Sequence, residues 1–447
     1  MISQDSGELK ISPHPKNLLV EITSRCNLNC QICLRNSLLE ENGDMDFSLF
    51  QRLIPAFSKL NKFSIIGLGE PFLHPRILEM IQVVRVSLPP DGKISLVTNG
   101  VLLDEKLMGR LADSGLDTII FSLDSLSSAV YEGMRIGARF GDLTGNLSLL
   151  LRTRRERKSR QPEIGLEWVM MKDNVEEMLS LIETAQRYGV STIIVNNLLP
   201  PSESLKDMIV YDFHSERNIA LFREIKSVAD QSGLDLNSYF KLSSVYSAAV
   251  CCGITASGMV GEKDRLVKEL IDRLSNEVSK EKGFVNIPAL IKRRGEEFER
   301  GGEILEKVKQ SAEQKGITLL LPRIIPQNER RCGFVSEDTC FVAWDGFVSP
   351  CQQLSHSYVC YHYGRRKVVQ RKIFGNIAEQ DLLAIWNSPA YREFRSRVEK
   401  FDFPHCGDCV FADGCAMITE EEFRNDCFLN EEPCGDCLWS RGILQCG

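Results

Sequence analysis

The stretch RCNLNCQIC at residues 25–33 places Cys26, Cys30 and Cys33 in the spacing C-x3-C-x2-C. It follows the apolar run Leu18–Ile22, which predicts a buried strand. Three thiolates on one short loop can bind three irons of a cubane iron–sulfur cluster and leave its last iron open. An open position distinguishes catalytic from structural metal sites. The loop therefore predicts a catalytic cluster. A zinc site completed by a distant residue is the alternative, although this spacing is unusual for zinc.

Apolar runs alternate with helical patterns from residue 17 to residue 200. The runs are rich in Ile, Val and Phe, as buried parallel strands are. The predicted strands are Leu18–Ile22, Phe63–Ile66, Ile94–Val97, Thr118–Leu123, Ile164–Met170 and Thr192–Val195. Six strand–helix repeats predict an α/β fold, a partial (β/α)6 barrel of the TIM type, because a closed barrel needs more repeats.

Two further segments follow the predicted barrel. Pro200-Pro201 marks a break, and the sequence predicts domains at 1–200, 201–330 and 331–447. The middle segment has mostly polar helical patterns and one late strand at Ile317–Pro322. Its Cys251 and Cys252 are interpreted as buried structural thiols rather than ligands. The last segment is loop-rich and rich in cysteine, so metal clusters would stabilise it where apolar contacts are few.

Composition and charge exclude several classes of protein. The chain has 447 residues, is 43% hydrophobic and 26% charged, and carries a net charge of −7. These values indicate a globular protein and do not favour nucleic-acid binding; the basic run at 152–160 is interpreted as a solvated helix end. No signal peptide or membrane span is expected, so we predict a cytoplasmic protein. In a reducing compartment its 16 cysteines indicate metal or redox chemistry.

The C-terminal cysteines form two recognisable patterns. Asp345-Gly346 predicts a hairpin turn between Cys340 and Cys351, which would bring two thiolates onto one metal. The pattern C-x2-C-x5-C follows at Cys406, Cys409 and Cys415. A zinc site is the alternative here, because Cys406-x2-Cys409 and Cys434-x2-Cys437 could together supply four thiolates.

The loop at 25–33 resembles the signature of the radical S-adenosylmethionine (radical SAM) superfamily. One position departs from it, because the residue before the last cysteine is usually aromatic in that family and is Ile32 here. The resemblance implies an open iron chelated by the amino and carboxylate groups of S-adenosylmethionine. It also implies that the reduced cluster cleaves this molecule to methionine and a 5′-deoxyadenosyl radical, which abstracts a hydrogen atom.

Motifs similar to those of the family end the next strands in the family's order. Gly67-Leu68-Gly69-Glu70-Pro71 looks like its Gly-Gly-Glu-Pro segment, whose exposed backbone and glutamate would hold the methionyl amino group. Thr98-Asn99-Gly100 and Ser122-Leu123-Asp124 end the following strands. Ser122 and Arg135 would contact the carboxylate, which arginine can bind in a bidentate manner. The implied contacts to S-adenosylmethionine are Gly69, Glu70, Asn99, Ser122, Asp124 and Arg135.

The C-terminal patterns resemble the SPASM domain, which carries auxiliary iron–sulfur clusters behind many radical SAM barrels. The Gly-x4-Cys unit is present at Gly346 and Cys351, but the last cysteine of C-x2-C-x5-C-x3-C is replaced by Thr419, with Cys427 as the nearest substitute. By resemblance, two auxiliary 4Fe–4S clusters are expected. One would be held by Cys332, Cys340, Cys351 and Cys427. The other would be held by Cys406, Cys409, Cys415 and one of Cys434, Cys437 or Cys446, while Cys360 has no assigned role.

The tail from Cys434 to Cys446, with Phe374-Gly-Asn-Ile and Phe403-Pro-His, resembles radical SAM maturases of tungsten-cofactor oxidoreductases. This implies an enzyme that matures a partner protein or its metallocofactor and takes electrons from a low-potential donor such as ferredoxin or flavodoxin. Gln352 stands where sulfatase maturases carry an acidic base, which argues against formylglycine formation. The alternatives are an enzyme that modifies a ribosomal peptide and a non-catalytic iron–sulfur or zinc scaffold.

Overall fold

The computed structural model describes residues 12–243, 261–280, 284–293, 295–411, 414–420 and 425–445. Cys251, Cys252 and Cys446 lie outside these ranges, and so do the interpretations placed on them. The described strands, in chain order, are β1 (Asn17–Val20), β2 (Asn29–Cys30), β3 (Lys62–Ile65), β4 (Lys93–Thr98), β5 (Thr118–Ser122), β6 (Arg135–Ile136), β7 (Glu163–Met170), β8 (Val190–Asn197), β9 (Thr318–Leu320), β10 (Thr339–Val342), β11 (Phe347–Ser349), β12 (Tyr358–His362), β13 (Arg365–Val369) and β14 (Gly375–Asn376).

The main sheet has ten strands in the order β14-β11-β10-β1-β3-β4-β5-β7-β8-β9. The six strands predicted from the apolar runs are all present, as β1, β3, β4, β5, β7 and β8, and neighbours among them pair in parallel. Leu18, Phe63 and Ile94 lie in register across the first three of them, and each is fully buried. The predicted parallel α/β fold is therefore confirmed.

Strands from the two later segments extend this sheet at both edges. The late strand predicted at Ile317–Pro322 is β9, and it pairs in parallel with β8. β10 pairs in parallel with β1, so that Cys340 lies opposite Leu18. The sequence predicted β10 only as one arm of a hairpin, and that hairpin is present, because β10 and β11 are antiparallel. Parallel pairing between segments so far apart in the chain leaves no local sequence signal.

Helices cover the sheet and form the middle segment. The described α-helices, in chain order, are α1 (Phe47–Gln51), α2 (Ile54–Phe57), α3 (Ile77–Ser87), α4 (Glu105–Ala112), α5 (Ser128–Met134), α6 (Phe140–Glu156), α7 (Met178–Arg187), α8 (Glu216–Gln231), α9 (Glu262–Lys280), α10 (Ile287–Ile291), α11 (Gly295–Lys315), α12 (Gly333–Ser336), α13 (Leu382–Trp386), α14 (Pro389–Lys400) and α15 (Ala416–Thr419). Phe57 of α2 packs edge-on against Phe63 of β3, with ring centroids 5.4 Å apart. Apolar contacts of this kind hold the helices on the sheet.

The middle segment has a small core of its own. Ile219 and Phe222 of α8 pack with Val267 and Ile271 of α9 in a cluster separate from that of the sheet. The polar faces of these helices explain why the sequence showed few apolar runs here. Among the described helices, none is long and apolar enough to cross a membrane.

Candidate active site

The three-cysteine loop follows β1 and is fixed by a short ladder. β2 within the loop pairs with β6 in antiparallel fashion, and Cys30 lies opposite Arg135. Two side chains that follow the loop close it further. Arg35 Nη2 donates to the Leu28 carbonyl at 2.8 Å, and Asn36 Nδ2 donates to the Cys30 carbonyl at 2.8 Å. The loop therefore has a defined conformation that presents its thiols at the carboxyl end of the parallel sheet.

The thiols of this loop have hydrogen-bond donors around them. Leu28 N lies 3.5 Å and Asn99 Nδ2 lies 3.8 Å from Cys26 Sγ, and Arg135 Nη1 lies 4.0 Å from Cys30 Sγ. Burial raises the pKa of the Cys30 thiol to about 11, an effect that Arg135 opposes. N–H donors and a cation beside sulfur stabilise the thiolates of an iron–sulfur cluster. The residues present fit the predicted cluster.

The arrangement differs from that of a single-ion site. Within the described part of the chain, no three or more His, Cys, Asp or Glu side chains converge as ligands of one metal ion. In a cubane cluster each thiolate binds a different iron, so its ligands are spaced more widely than around one zinc ion.

The Gly67–Pro71 segment needs its glycines to lie against the end of β1. A Cβ atom on Gly67 would lie 2.4 Å from Glu21 Cγ, and one on Gly69 would lie 2.2 Å from the Thr23 carbonyl oxygen. A side chain at either position would push the segment away from the cysteine loop. The segment is therefore held with its backbone beside the thiols, as its predicted role requires.

The Glu70 carboxylate is bonded within the chain. It is 1% exposed, and Oε1 accepts from Thr98 Oγ1 at 2.8 Å and from Phe72 N at 3.1 Å. Oε2 accepts from Asn99 N at 2.8 Å. Burial raises the pKa of this carboxyl group. Glu70 thus ties the Gly67–Pro71 segment to the Thr98–Gly100 motif, and the backbone of the segment remains as the predicted contact for the methionyl amino group.

Arg135 and Asp124 form a buried pair. Arg135 Nε lies 2.7 Å from Asp124 Oδ2, and Asp124 Oδ1 accepts from Val169 N at 3.1 Å. Burial lowers the pKa of Arg135, but the charges of Asp124 and Cys30 outweigh it and raise the pKa overall. The guanidinium therefore stays charged and oriented. Arg135 and Ser122 line the cavity described next, whereas Asp124 is outside its lining and acts by holding Arg135.

A cavity of about 300 Å³ lies in front of the cysteine loop. Its barrel wall includes the predicted residues Cys26, Cys30, Cys33, Gly69, Glu70, Asn99, Ser122 and Arg135. Glu167 of β7 and Asn196 of β8 also line it, and Asn196 Nδ2 donates to Glu167 Oε1 at 3.2 Å. The sequence analysis missed these two. Asn196 directly follows the predicted strand Thr192–Val195 and gave a usable signal, whereas Glu167 lies in the middle of β7 and gave none.

The far wall of the cavity comes from the C-terminal segment. Its lining residues include Gln352, Gln353, His356, Tyr358, Trp439 and Gln445. The tail is fixed to the barrel, because Gln445 N donates to Asn196 Oδ1 at 2.8 Å and Asn197 Nδ2 donates to the Ile443 carbonyl at 2.8 Å. These residues could not be placed at the site from sequence, since only the tertiary fold brings them there.

One buried pair joins the two walls. His356 Nε2 lies 2.7 Å from Glu21 Oε2, and Glu21 Oε1 accepts from Leu68 N at 2.8 Å. Burial lowers the pKa of His356, but the hydrogen bond and charge of Glu21 raise it overall. The end of β1, the Gly67–Pro71 segment and the C-terminal segment thus meet at Glu21.

Two family models match the chain. Residues 20–213 match the radical SAM superfamily, and residues 332–410 match SPASM, an iron–sulfur cluster-binding domain. The chain is a radical SAM enzyme with a SPASM domain. The two domains imply S-adenosylmethionine and 4Fe–4S chemistry, and the alternative of a non-catalytic scaffold is therefore set aside.

Relatives of this radical SAM enzyme differ in how much of it they cover. It is 28% identical over 435 residues, 96% of its length and 97% of the relative's, to the tungsten-containing aldehyde ferredoxin oxidoreductase cofactor-modifying protein of Pyrococcus furiosus. It is 32% identical over 136 residues to GTP 3′,8-cyclase of Chlorobaculum tepidum, which is 30% of this chain and 40% of that one. Among solved structures, SuiB of Streptococcus suis bound to S-adenosylmethionine has a TM-score of 0.51 at 14% identity, covering 90% of this chain and 72% of that one, and supports the fold.

The described cysteines of the SPASM domain fall into two groups, and the members of these groups differ from the two ligand sets expected from the sequence. Burial raises the pKa of Cys434 well above its usual range, and the charges of Cys437, Cys332 and Cys351 raise it further. A Coulombic effect weakens with distance, so the thiols with the largest effects lie near Cys434. We call this set the inner group; its members are Cys332, Cys351, Cys434 and Cys437.

A second set surrounds Cys427. Burial raises the pKa of the Cys427 thiol, and Cys409 and Cys415 raise it as well. Cys427 in turn raises the pKa of Cys406. We call this set the outer group, because Cys427 is exposed; its members are Cys406, Cys409, Cys415 and Cys427. We infer that Cys427 groups with the C-x2-C-x5-C cysteines, whereas the sequence analysis assigned it with Cys332, Cys340 and Cys351.

Cys340 belongs to neither group. It is fully buried in β10, where burial raises its pKa to about 12 and Tyr391 is its hydrogen-bond partner. Cys340 packs into the core of the main sheet, whereas the adjacent Phe341 packs on the opposite face. Because side chains alternate along a strand, pairing of β10 with β1 directs this thiol into the core. The sequence analysis assigned Cys340 as a cluster ligand, and from this position we infer instead that it is a core residue.

Proposed function

We propose that this radical SAM enzyme matures a partner protein or its metallocofactor, and that the partner is a tungsten-containing oxidoreductase of the aldehyde ferredoxin oxidoreductase type. The observation that carries this proposal is the 28% identity to the Pyrococcus furiosus cofactor-modifying protein, which extends over 96% of this chain. Barrel and SPASM domain are therefore matched together, whereas the GTP cyclase matches only 30% of the chain.

In this proposal Cys26, Cys30 and Cys33 hold the reactive cluster. The backbone of Gly67–Gly69 and the side chain of Asn99 would hold S-adenosylmethionine, and Ser122 and Arg135 would bind its carboxylate. The reduced cluster and S-adenosylmethionine, when both are bound, would supply a 5′-deoxyadenosyl radical. The chain itself orients the carboxylate through Arg135, which Asp124 holds at 2.7 Å. The C-terminal wall of the cavity would limit the access of bulk water to the reacting groups.

The inner and outer groups would each hold one auxiliary 4Fe–4S cluster. The inner group borders the cavity, because Cys437 Sγ lies 3.9 Å from Oε1 of Gln353, a lining residue. The outer group includes the exposed Cys427. A low-potential donor such as ferredoxin or flavodoxin would therefore reach the outer group first, and the inner group is placed to exchange electrons with the substrate.

The first experiment tests the radical chemistry. Protein reconstituted without oxygen and reduced with dithionite is expected to convert S-adenosylmethionine to 5′-deoxyadenosine. Cys30→Ala removes one of three cluster ligands and is expected to abolish this product, whereas Cys340→Ala is expected to retain it. Product formation that survives Cys30→Ala would contradict the assignment of the reactive cluster.

The second experiment tests the partner. A tungsten oxidoreductase is expressed anaerobically together with the wild-type enzyme or with Cys30→Ala, and its extracted cofactor is compared by mass spectrometry. We expect a difference in cofactor mass and a loss of oxidoreductase activity with the variant. Identical cofactors from both strains would overturn the tungsten assignment. A mass change in a short peptide instead would support the peptide-modifying alternative.

A further inference from the structure

The cavity in front of the cysteine loop is lined by four residues that carry a carboxylate, guanidinium or imidazole group. Three of them have partners within the chain. Arg135 and His356 each form an ion pair, and Glu70 accepts three hydrogen bonds. The fourth is Glu167, which forms no ion pair within the described part of the chain and accepts one hydrogen bond.

Glu167 is directed into the barrel by the alternation of side chains along β7. Its neighbours Leu166 and Trp168 are fully buried in the core of the main sheet. Because successive side chains of a strand point to opposite faces, Glu167 points to the inside of the barrel, where it lines the cavity. Its register partner on β5 is Ser122, a predicted contact of the S-adenosylmethionine carboxylate. Glu167 therefore lies beside the predicted S-adenosylmethionine site and not in the packed core.

One oxygen of this carboxylate is held in place. Asn196 Nδ2 donates to Glu167 Oε1 at 3.2 Å, and Gln445 N donates to Asn196 Oδ1 at 2.8 Å. The bond from Gln445 takes the oxygen of the Asn196 amide and so leaves its NH2 group for Glu167. Glu167 Oε2 has no donor among the described residues. The carboxylate is thus oriented by the docked tail, with one acceptor oxygen unused.

The surroundings of Glu167 disfavour its negative charge. Burial raises the pKa of the carboxyl group and the charge of Asp124 raises it further, while Arg135 and the hydrogen bond from Asn196 oppose them. Arg135 is already paired with Asp124. Burying a carboxylate without a counter-charge is costly, and a buried polar group with few partners calls for an explanation. A cation bound in the cavity would supply the missing charge.

We propose that Glu167 is the binding site for a cationic group of the substrate, an ammonium or amidine-type nitrogen. The far wall suits such a group, because the amide oxygens of Gln352 and Gln445 can accept further N–H donors. The proposal rests on the proposed function in one respect, that the cysteine loop and S-adenosylmethionine occupy this cavity. The sulfonium of S-adenosylmethionine is another cation in the same cavity, so the experiment separates the two sources.

The test is calorimetric titration, without oxygen, of the full chain reconstituted with its clusters. Three probes of similar shape differ in charge: benzamidine is a cation, benzamide is neutral and benzoate is an anion. Each is titrated into the wild type, into Glu167→Gln and into Glu163→Gln. Glu163 is the matched control, since it lies on the same strand, is exposed and is not among the residues that line the cavity. The titrations are repeated with saturating S-adenosylmethionine.

We expect benzamidine to bind the wild type and Glu163→Gln equally, and Glu167→Gln about tenfold more weakly, the effect of losing a hydrogen bond to a charged group. Benzamide and benzoate are expected to bind all three proteins weakly and alike, and S-adenosylmethionine is expected to leave the affinity for benzamidine unchanged.

Equal affinity of Glu167→Gln and Glu163→Gln for benzamidine would overturn the proposal. So would equal affinity of the wild type for benzamidine and benzamide, a comparison that does not require the variant to fold. Displacement of benzamidine by S-adenosylmethionine would also overturn it, because Glu167 would then belong to the S-adenosylmethionine site. Failure of the proposed function is seen separately, as absence of 5′-deoxyadenosine from the reduced wild type.

Discussion

The radical site and the SPASM domain both gather cysteines, but they do so over different distances along the chain. Cys26, Cys30 and Cys33 lie on one loop, whose position is set by β1 and by the pairing of β2 with β6. The inner group draws Cys332, Cys351 and the turn Cys434–Asp436 from three separate segments. Spacing along the sequence is informative in the first region and ambiguous in the second.

The difference has a physical cause. A loop of eight residues keeps its thiols within about 25 Å of one another, so the spacing along the sequence favours a single site. In the SPASM domain the positions of the thiols depend on strand pairing and side-chain direction. Cys340 satisfies the sequence pattern, yet its side chain enters the core because β10 joins the main sheet beside β1. Strand pairing and side-chain direction, rather than spacing, therefore decide which cysteines lie near one another.

The largest predicted effect is the loss of a whole auxiliary cluster, which tests the difference between the two regions directly. Cys434→Ala is expected to remove the inner cluster, about four irons per chain, whereas Cys340→Ala is expected to retain the full complement. Iron and sulfide analysis after anaerobic reconstitution measures both. Cys360→Ala is a matched control, since Cys360 is also fully buried in a strand. Loss of about four irons from Cys340→Ala, with none lost from Cys434→Ala, would restore the ligand sets read from the sequence.

The barrel, like the cysteine loop, could be predicted because its signals lie within short stretches of the sequence. The strands from β1 to β8 that form the parallel sheet follow from apolar runs separated by helical patterns, and the motifs at their ends fall in one cavity. The contacts of Glu70 were not predictable, because its hydrogen bonds go to Thr98 and Asn99 on the next strand end. The same holds for His356, which reaches Glu21 only through the docking of the C-terminal segment.

The next prediction concerns the radical site alone. Arg135→Lys keeps a positive charge beside Asp124 but removes the planar fork that binds a carboxylate with two hydrogen bonds. We expect S-adenosylmethionine to bind about 30-fold more weakly, a loss of about 2 kcal/mol. Equilibrium dialysis with the anaerobically reconstituted protein measures it, and Arg152→Lys, at an exposed pair with Glu105, is the control. Equal affinity for S-adenosylmethionine in both variants would show that Arg135 does not bind its carboxylate.

A smaller effect tests whether the inner and outer groups touch. Gly435→Ala places a Cβ atom within 2.8 Å of Cys406 Sγ, so the turn Cys434–Asp436 or the turn Cys406–Asp408 must shift. Overpacking of this kind costs about 1–2 kcal/mol. We expect a lower unfolding temperature and a weaker magnetic interaction between the two auxiliary clusters. Gly414→Ala is the matched control, because no atom of the described residues, apart from its two chain neighbours, lies within 4 Å of its Cβ position. An unfolding temperature equal to that of the control would contradict the contact.

The smallest effect concerns the pair that joins the barrel to the SPASM domain. The pKa of His356 is raised in the folded protein above its ordinary value of 6.5, chiefly by Glu21, with Glu40 adding to the effect and Arg371 opposing it. The charged pair therefore contributes its full stability below pH 6.5, and this contribution is lost as the pH rises through the raised pKa. His356→Gln keeps a hydrogen-bond donor to Glu21 without the charge.

We expect the wild type to exceed His356→Gln in unfolding free energy by about 1 kcal/mol at pH 6, and by progressively less toward alkaline pH. Anaerobic thermal unfolding across this range measures the difference. Glu21→Gln removes the partner's charge and is expected to abolish the pH dependence, while His14→Gln controls for the loss of a histidine elsewhere. A difference that stays constant with pH would mean that packing, and not charge, joins the barrel to the SPASM domain. The barrel and the SPASM domain would then be held together by side-chain packing, as Cys340 is held in the core of the main sheet.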